Sequence, residues 1–182
     1  SDVYKRQFIY LATSPTDYTE LPKANTYPEE NVLIVQTTTK EFESIAQKYL
    51  ADAVKDQAMD VRLKVEDQIY IFSELVIFGI TLPIQMDFDP VVYDGNIRLQ
   101  QTKVHVGKKD IPPRTVLKLL NDAVDFPDWI VVRPNEEEIY IDLSRLNIAD
   151  GNRVRAKEID LVGDKILLEI IVPGSGSEEK AS

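Results

Sequence analysis

The sequence predicts an α+β fold: a strongly bent antiparallel sheet, arranged as a meander, with two helices packed on its concave face. Three observations predict this fold. Two segments place apolar residues at helical spacing, most other apolar segments alternate with a period of two, and these strands follow one another through turns rather than alternating with helices. Hairpin-linked strands of this kind form antiparallel sheets. With 182 residues, of which 43% are hydrophobic, the chain suits a single core.

A short strand and an amphipathic helix open the folded part of the chain. The apolar run Val32–Val35 predicts the strand, and Thr38 and Glu41 have the spacing of a capping box at the start of the helix. The apolar stripe of this helix comprises Phe42, Ile45, Ala46, Tyr49 and Leu50. Its opposite face comprises Lys40, Glu43, Gln47, Lys48 and Asp52. We therefore expect the apolar stripe to be the buried one.

Long strands follow the first helix. Residues 61–65 alternate between apolar and charged side chains, which predicts a strand with one face in water. Residues 69–78 are apolar on both faces, and Gly79 separates them from a further strand. Pro83 lies inside that further strand, which places the strand at a sheet edge or beside a bulge, because proline donates no ladder hydrogen bond.

A hairpin and a change of phase continue the meander. Asp94–Gly95 predicts the hairpin turn. The return strand, residues 97–106, changes phase around Gln100–Gln101, and such a change indicates a bulge.

A second helix and four short strands complete the pattern. Asp110 is the predicted cap, and Pro112 and Pro113 lie in the first turn, where proline costs no helical hydrogen bond. The apolar stripe of this helix comprises Val116, Leu117, Leu119, Leu120, Ala123 and Val124. The four strands are predicted at residues 129–132, 138–142, 153–161 and 165–172.

The domain limits follow from composition. Residues 1–7 (SDVYKRQ) look like the translation of a transposon end used in sequencing libraries, so we interpret them as an artefact. Residues 8–12 form a short apolar stub, either a strand or coil, or the last turns of a membrane anchor, and a polar linker continues to residue 31. Residues 32–173 are predicted as one α+β domain, and residues 174–182 as a disordered tail.

The composition excludes several classes of function. A net charge of −10 disfavours nucleic acid as a partner, because a phosphate backbone would be repelled. The chain has no cysteine and a single histidine, so disulfides, thiolate nucleophiles and sites with several histidine ligands are excluded. The longest run without charge, Leu75–Met86, has 12 residues, which is shorter than the roughly 20 that a membrane helix needs.

No residue pattern indicates catalysis. His105 lies on the polar phase of its strand and is interpreted as a surface residue. Asp87 and Asp89 share a strand face and could bind a hard cation, although aspartates before Pro90 are also typical of a turn. The run Glu136–Glu138 is interpreted as a solvated loop. We predict no catalytic residue, no metal site and no cofactor.

An excess of apolar residues is the remaining feature. Apolar side chains on both helices and on one strand could line a groove for an acyl chain, and an ordinary filled core is the alternative. The candidate ligand-binding residues are Ile45, Tyr49, Ile80, Leu82, Ile84, Met86, Leu117, Leu120 and Val124.

Three blocks of sequence carry a family resemblance. They are TTTKEFESIAQKYL (37–50), FSELVIFGITLPIQMDFDPVVYDGNIRLQ (72–100), and IPPRTVLKLLN followed by PDWIVVRPNEEEIYIDLSRL. In these blocks the chain resembles the YpmS-like family of uncharacterised, membrane-anchored proteins of Gram-positive bacteria. The resemblance implies a single-pass N-terminal anchor, of which residues 8–12 would be the end, and an extracytoplasmic domain at the cell membrane.

The order of elements also resembles half-domains of the tubular lipid-binding (TULIP-like) proteins. This layout implies a lipid in a groove between helices and sheet, although a shared fold does not establish a function. We therefore expect a non-enzymatic, membrane-tethered domain that binds a lipid, a lipid-linked envelope molecule or another apolar envelope ligand. The alternative is an envelope protein-protein interaction module with a filled core and an exposed edge near Pro83.

Overall fold

The computed structural model describes residues 30–57, 59–146 and 148–174. The chain divides into two compact units, residues 32–171 and residues 1–31 with 172–182. Of the second unit, only residues 30, 31 and 172–174 are described. The predictions for residues 1–29 and 175–182, which concern the artefact, the stub, the linker and the tail, lie outside the described residues.

The described elements comprise ten strands and two α-helices. The strands are β1 (Glu30–Thr37), β2 (Arg62–Val65), β3 (Ile69–Ile77), β4 (Ile80–Tyr93), β5 (Asn96–Val106), β6 (Lys109–Asp110), β7 (Ile130–Arg133), β8 (Glu138–Ile141), β9 (Arg153–Asp160) and β10 (Lys165–Pro173). The helices are α1 (Thr39–Ala53) and α2 (Pro113–Ala123). Short 3-10 turns cover Pro134–Glu136, Leu143–Arg145 and Ala149–Gly151.

The strands form two sheets. The larger has seven strands, six of them in the order β2-β3-β4-β5-β8-β7, with β6 paired to β5. All six of its described strand pairs are antiparallel, and the sheet is not closed. The predicted α+β class with two helices and a large antiparallel sheet is therefore confirmed. The prediction of one sheet missed a second one, which has the order β1-β10-β9.

Local sequence signals determine the turns of the meander. The predicted Asp94–Gly95 turn is present, with φ values of 51° and 80°. The predicted bulge is also present, because the register shifts between Asp87 and Phe88, opposite Lys103 and Gln101. Thr102 is the extra residue, one position beyond the predicted change of phase.

Both helix starts were predicted, but only one cap was predicted correctly. The backbone N–H of Glu41 donates to the Thr38 hydroxyl at 3.1 Å, and the backbone N–H of Thr38 donates to the Glu41 carboxylate at 3.2 Å, so the capping box is confirmed. The prediction of Asp110 as the cap of α2 is wrong. Asp110 belongs to β6, and Pro112 occupies the cap position without a side-chain hydrogen bond.

The two helices are buried to different extents. Helix α2 buries Val116, Leu117 and Leu120 completely. Helix α1 contains no fully buried residue, although its apolar stripe was predicted to be buried. The stripe of α1 therefore faces space that the core does not fill.

Candidate functional site

An apolar cavity of about 380 Å³ lies within residues 32–171. Its walls come from α1, from β2 to β5, β7 and β8 of the large sheet, from all three strands of the small sheet, and from the segment around Trp129. Phe42, Ala46 and Tyr49 line it from α1, and Leu120 is the contribution of α2. The volume lies within the 300–1,000 Å³ range of pockets that bind small molecules.

The lining has almost no polar chemistry. None of the lining residues carries a charge, and Thr37 and Ser73 are the aliphatic hydroxyl residues among them. The hydroxyl of Thr37 donates to the Glu41 carboxylate at 3.2 Å, and that of Ser73 donates to the carbonyl of Asp60 at 2.9 Å. Because both hydroxyls already have partners and no lining residue carries a charge, the cavity suits a hydrocarbon, with the Tyr49 hydroxyl and the Trp129 indole N–H as its further polar groups.

The cavity reaches the surface beside α1. Ile45 belongs to the lining, and its side chain is 55% exposed. The other stripe residues of α1 are only partly buried. A molecule inside the cavity would therefore lie directly behind α1.

Polar side chains of α1 attach the helix to the edge of the large sheet. The side chain of Gln47 donates to the carbonyl of Val61 at 2.9 Å and accepts from the backbone N–H of Leu63 at 2.6 Å. The Glu43 carboxylate accepts from the backbone N–H of Val65 at 2.8 Å. Glu43 and Gln47 thus bond the free edge of β2, although both were assigned to the face opposite the buried stripe.

A second attachment holds the start of α1. The Asp164 carboxylate, in the turn between β9 and β10, accepts from the backbone N–H and from the hydroxyl of Thr39, both at 2.8 Å. The backbone hydrogen bond, followed by the hydroxyl bond, lowers the pKa of Asp164 below its usual value. The negative charge also lies at the helix N-terminus, where the dipole favours it.

The structure brings four of the nine predicted ligand-binding residues together. Ile45, Tyr49, Met86 and Leu120 line the cavity, and whether they bind a ligand stays a prediction. The other five do not belong to its lining. Ile84 and Leu117 are buried in the core, Val124 and Leu82 are partly buried, and Ile80 is 61% exposed near the end of a hairpin.

Many residues that line the cavity were not predicted from the sequence. Trp129, Phe126 and Ile148 lie far along the chain from α1, yet all three line the cavity. Their segments had no periodicity that could mark them as lining residues. Only the single tryptophan, as a large apolar side chain near a strand start, offered a usable signal.

Comparison with known proteins identifies the family. The family described as "Uncharacterized protein conserved in bacteria (DUF2140)" matches residues 5–172. The chain belongs to this family. The uncharacterized protein YpmS of Bacillus subtilis (strain 168) is 24% identical to it over 160 residues, which are 87% of this chain and 84% of that protein. The predicted YpmS-like membership is therefore confirmed, and no solved structure matches the chain.

Neither helix of the described residues has the length and apolar character needed to cross a membrane. Within the same residues, no group of three or more acidic or histidine side chains could hold a metal ion. Asp87 is buried and accepts from Gln85 at 2.9 Å, while Asp89 accepts from Gln68 at 2.7 Å. The alternative interpretation, in which Asp87 and Asp89 belong to a turn before Pro90, is wrong, because β4 continues through Pro90.

Two other polar residues of this DUF2140 chain, His105 and Glu138, have side-chain partners in the structure. His105 is partly exposed, as predicted, and its Nδ1 lies 2.7 Å from the exposed carboxylate of Asp110 on the neighbouring strand. The prediction of a solvated loop is wrong for Glu138, which is 1% exposed. Its carboxylate accepts from Arg98 at 2.9 Å and from Arg133 at 2.6 Å.

Proposed function

We propose that this DUF2140 protein is a non-enzymatic, membrane-tethered extracytoplasmic domain that binds the acyl chain of a lipid or lipid-linked envelope molecule. One observation carries the proposal: the cavity of about 380 Å³ is lined by apolar side chains and by no charged one. Apolar cavities exclude water and take up apolar molecules. The same cavity favours ligand binding over the alternative of an interaction module with a filled core.

The mechanism is shielding of hydrocarbon. Each CH₂ group that leaves water for an apolar site contributes about 0.8 kcal/mol. The lining has no charge to pair with a headgroup, so the headgroup stays outside while the acyl chain enters. Since Ile45 is half exposed at the cavity wall, the side of α1 is the entrance.

Exchange of the ligand would involve α1. This helix buries no residue completely, and its polar bonds join it to the edge of β2 and to the turn that contains Asp164. Hydrogen bonds at an exposed edge open more readily than a packed core. A short displacement of α1 would therefore widen the entrance without unfolding the sheet.

The membrane tether and the extracytoplasmic location belong to the same proposal. They rest on the resemblance to anchored proteins and on the apolar residues 8–12. Fractionation of a Gram-positive host tests them. Recovery of the natural full-length protein with membranes, and its digestion by protease added to protoplasts, would support this location, whereas recovery in the cytosol would contradict it.

The single tryptophan provides a local test of ligand binding, because Trp129 lines the cavity. A doxyl-labelled fatty acid that enters the cavity should quench Trp129 fluorescence in a saturable manner. The substitution Ala46→Phe places a ring in the cavity and should abolish the saturable quenching. Ala51→Phe, on an exposed position of the same helix, is the matched control and should leave the quenching intact.

The outcomes separate the two functions. Saturable quenching that is lost in Ala46→Phe and kept in Ala51→Phe would support the shielding function. Quenching that is absent, or equal in all three proteins, would contradict it and favour the interaction module. Circular dichroism of each variant shows whether the fold is retained.

A further inference from the structure

The β3–β4 hairpin ends in an exposed apolar tip. Val76, Phe78 and Ile80 are 67%, 97% and 61% exposed. The backbone pairs Val76 with Thr81 and Ile77 with Ile80, so the two strands remain joined up to the turn. The tip belongs to the longest charge-free run of the chain, Leu75–Met86.

This hairpin extends beyond the strands beside it. The pairing of β2 with β3 reaches only Phe72, and the pairing of β5 with β4 begins at Ile84. Residues 80–83 therefore extend about 14 Å past the end of β5 at the usual rise per residue. A Cβ atom added at Gly79 would meet nothing within 4 Å, so the turn is surrounded by open space.

Phe78 is an unusual residue for this turn. Its φ is 51° and that of Gly79 is 77°, so both central residues of the two-residue turn have left-handed backbone conformations. Such turns prefer Asn-Gly or Asp-Gly, and a bulky residue with positive φ is strained. A strained side chain that makes almost no contact within its own chain points to a role in binding something else.

Two lysines lie at the base of the hairpin. The backbone N–H of Gly107 donates to the carbonyl of Pro83 at 2.8 Å, which places the turn with Lys108 and Lys109 beside β4. Glu74, opposite Pro83 in the register, is the acidic residue at this level of the hairpin. The exposed Asp110 follows Lys109 but pairs with His105 at the level of Gln85, so the two lysines lie nearer the tip than this carboxylate.

We infer that the hairpin tip inserts into the surface of a lipid bilayer that carries anionic headgroups. Val76, Phe78 and Ile80 enter the interfacial layer, and Lys108 and Lys109 contact the headgroups. Insertion is shallow, because the outer edges of the hairpin leave backbone groups unpaired, and such groups are not tolerated in the hydrocarbon centre. This inference is independent of the proposed cavity function.

Vesicle flotation of the full 182-residue chain tests the inference. The probes are vesicles of phosphatidylcholine with phosphatidylglycerol, and vesicles of phosphatidylcholine alone. Phe78→Asn should weaken partition by about tenfold or more, because it removes a large apolar side chain from the interface. Val162→Asn, which replaces another exposed apolar residue in the β9–β10 turn, is the matched control and should partition as the unaltered chain does.

The variant Phe78→Asn also shows whether weaker partition to vesicles could result from loss of folding. Asparagine is favoured at this turn position, so Phe78→Asn should unfold at the same or a higher urea concentration than the unaltered chain. Replacement of both Lys108 and Lys109 by Gln should reduce the preference for anionic vesicles, by about fivefold for each lysine.

A depth measurement completes the test. In the double variant Trp129→Phe/Phe78→Trp, the tryptophan at the tip should shift its emission to shorter wavelength on addition of anionic vesicles. Lipids brominated near the headgroup should quench it more than lipids brominated near the chain end. Equal partition of the unaltered chain and Phe78→Asn, or no partition of either, would overturn the inference and favour a protein partner for the tip. Quenching of Trp129 by a free fatty acid uses no vesicle, so the two proposals can fail separately.

Discussion

The side-chain amide of Gln47 pairs with the backbone of β2 at Leu63. Its oxygen accepts from the Leu63 N–H at 2.6 Å, and its nitrogen donates to the carbonyl of Val61 at 2.9 Å. One side chain thus occupies the place of a neighbouring strand and covers a sheet edge that would otherwise be open to pairing. The same helix presents its apolar stripe to the cavity, so this contact positions one cavity wall.

Gln47→Ala should lower the free energy of unfolding by about 1–2 kcal/mol, because two edge hydrogen bonds are lost. Urea denaturation measures the change, and hydrogen exchange of the Leu63 amide should become faster. Lys48→Ala, at the adjacent exposed position, is the control and should change the free energy by less than about 0.5 kcal/mol. Equal effects of the two substitutions would show that the edge contact does not hold α1.

Asp164 should make stability depend on pH. The hydrogen bonds from Thr39 lower the folded-state pKa of Asp164. Its contribution to the free energy of unfolding is therefore fully present above the ordinary pKa of 3.8, and it is lost as the pH falls through the lower folded-state pKa. Asp164→Asn should therefore be less stable than the unaltered chain at neutral pH, and the difference should vanish in acid. Urea denaturation over a series of pH values measures this difference.

The control for this prediction keeps the carboxylate and its two donors. Thr39→Ser retains the backbone N–H and a hydroxyl, so the pH dependence should remain. A difference between Asp164→Asn and the unaltered chain that stayed constant down to the lowest pH would contradict the assigned cause.

The buried carboxylate of Glu138 should make its arginine partners important for stability. Arg98→Ala removes one of the two arginines paired with this carboxylate and leaves Arg133 in place, so it should cost about 1.5–3 kcal/mol, the usual contribution of a hydrogen bond to a charged group. Arg145→Ala removes a pair with Asp142 in which the arginine is 60% exposed, and should cost less than about 1 kcal/mol. Unfolding free energies of the two variants that differed by less than their error would contradict this ranking.

Signals between near neighbours in the sequence predicted the fold well. The capping box needed only Thr38 and Glu41, and the hairpin turn needed only Asp94 and Gly95. Each relies on residues at most three positions apart, whose spacing alone defines the geometry. The change of phase near Gln101 likewise placed the bulge to within one residue.

Contacts between distant residues were not predictable in this way. Gln47 bonds a strand residue 16 positions away, and Glu138 accepts from Arg98, which is 40 positions away. Gln47 and Glu138 were interpreted as solvent-facing because they are polar. Their neighbours in the sequence do not indicate a partner that only the tertiary fold brings close.

The cavity shows the same limit. The apolar stripe of α2 predicted which face turns inward, but it could not distinguish Leu120, which lines the cavity, from Leu117, which is packed in the core. Periodicity identifies the inward face of an element. Whether the facing side chains meet depends on the distance between elements, which the sequence pattern does not contain.

Native mass spectrometry of the protein purified from a Gram-positive host tests the central claim most directly. We expect the unaltered chain and Ala51→Phe to carry an adduct in a ratio of one to one, and organic extraction should identify it as a molecule with an acyl chain. Ala46→Phe, with its cavity filled, should have the mass of the protein alone. A protein without adduct, unchanged after incubation with host lipids, or an adduct retained by Ala46→Phe, would contradict the account.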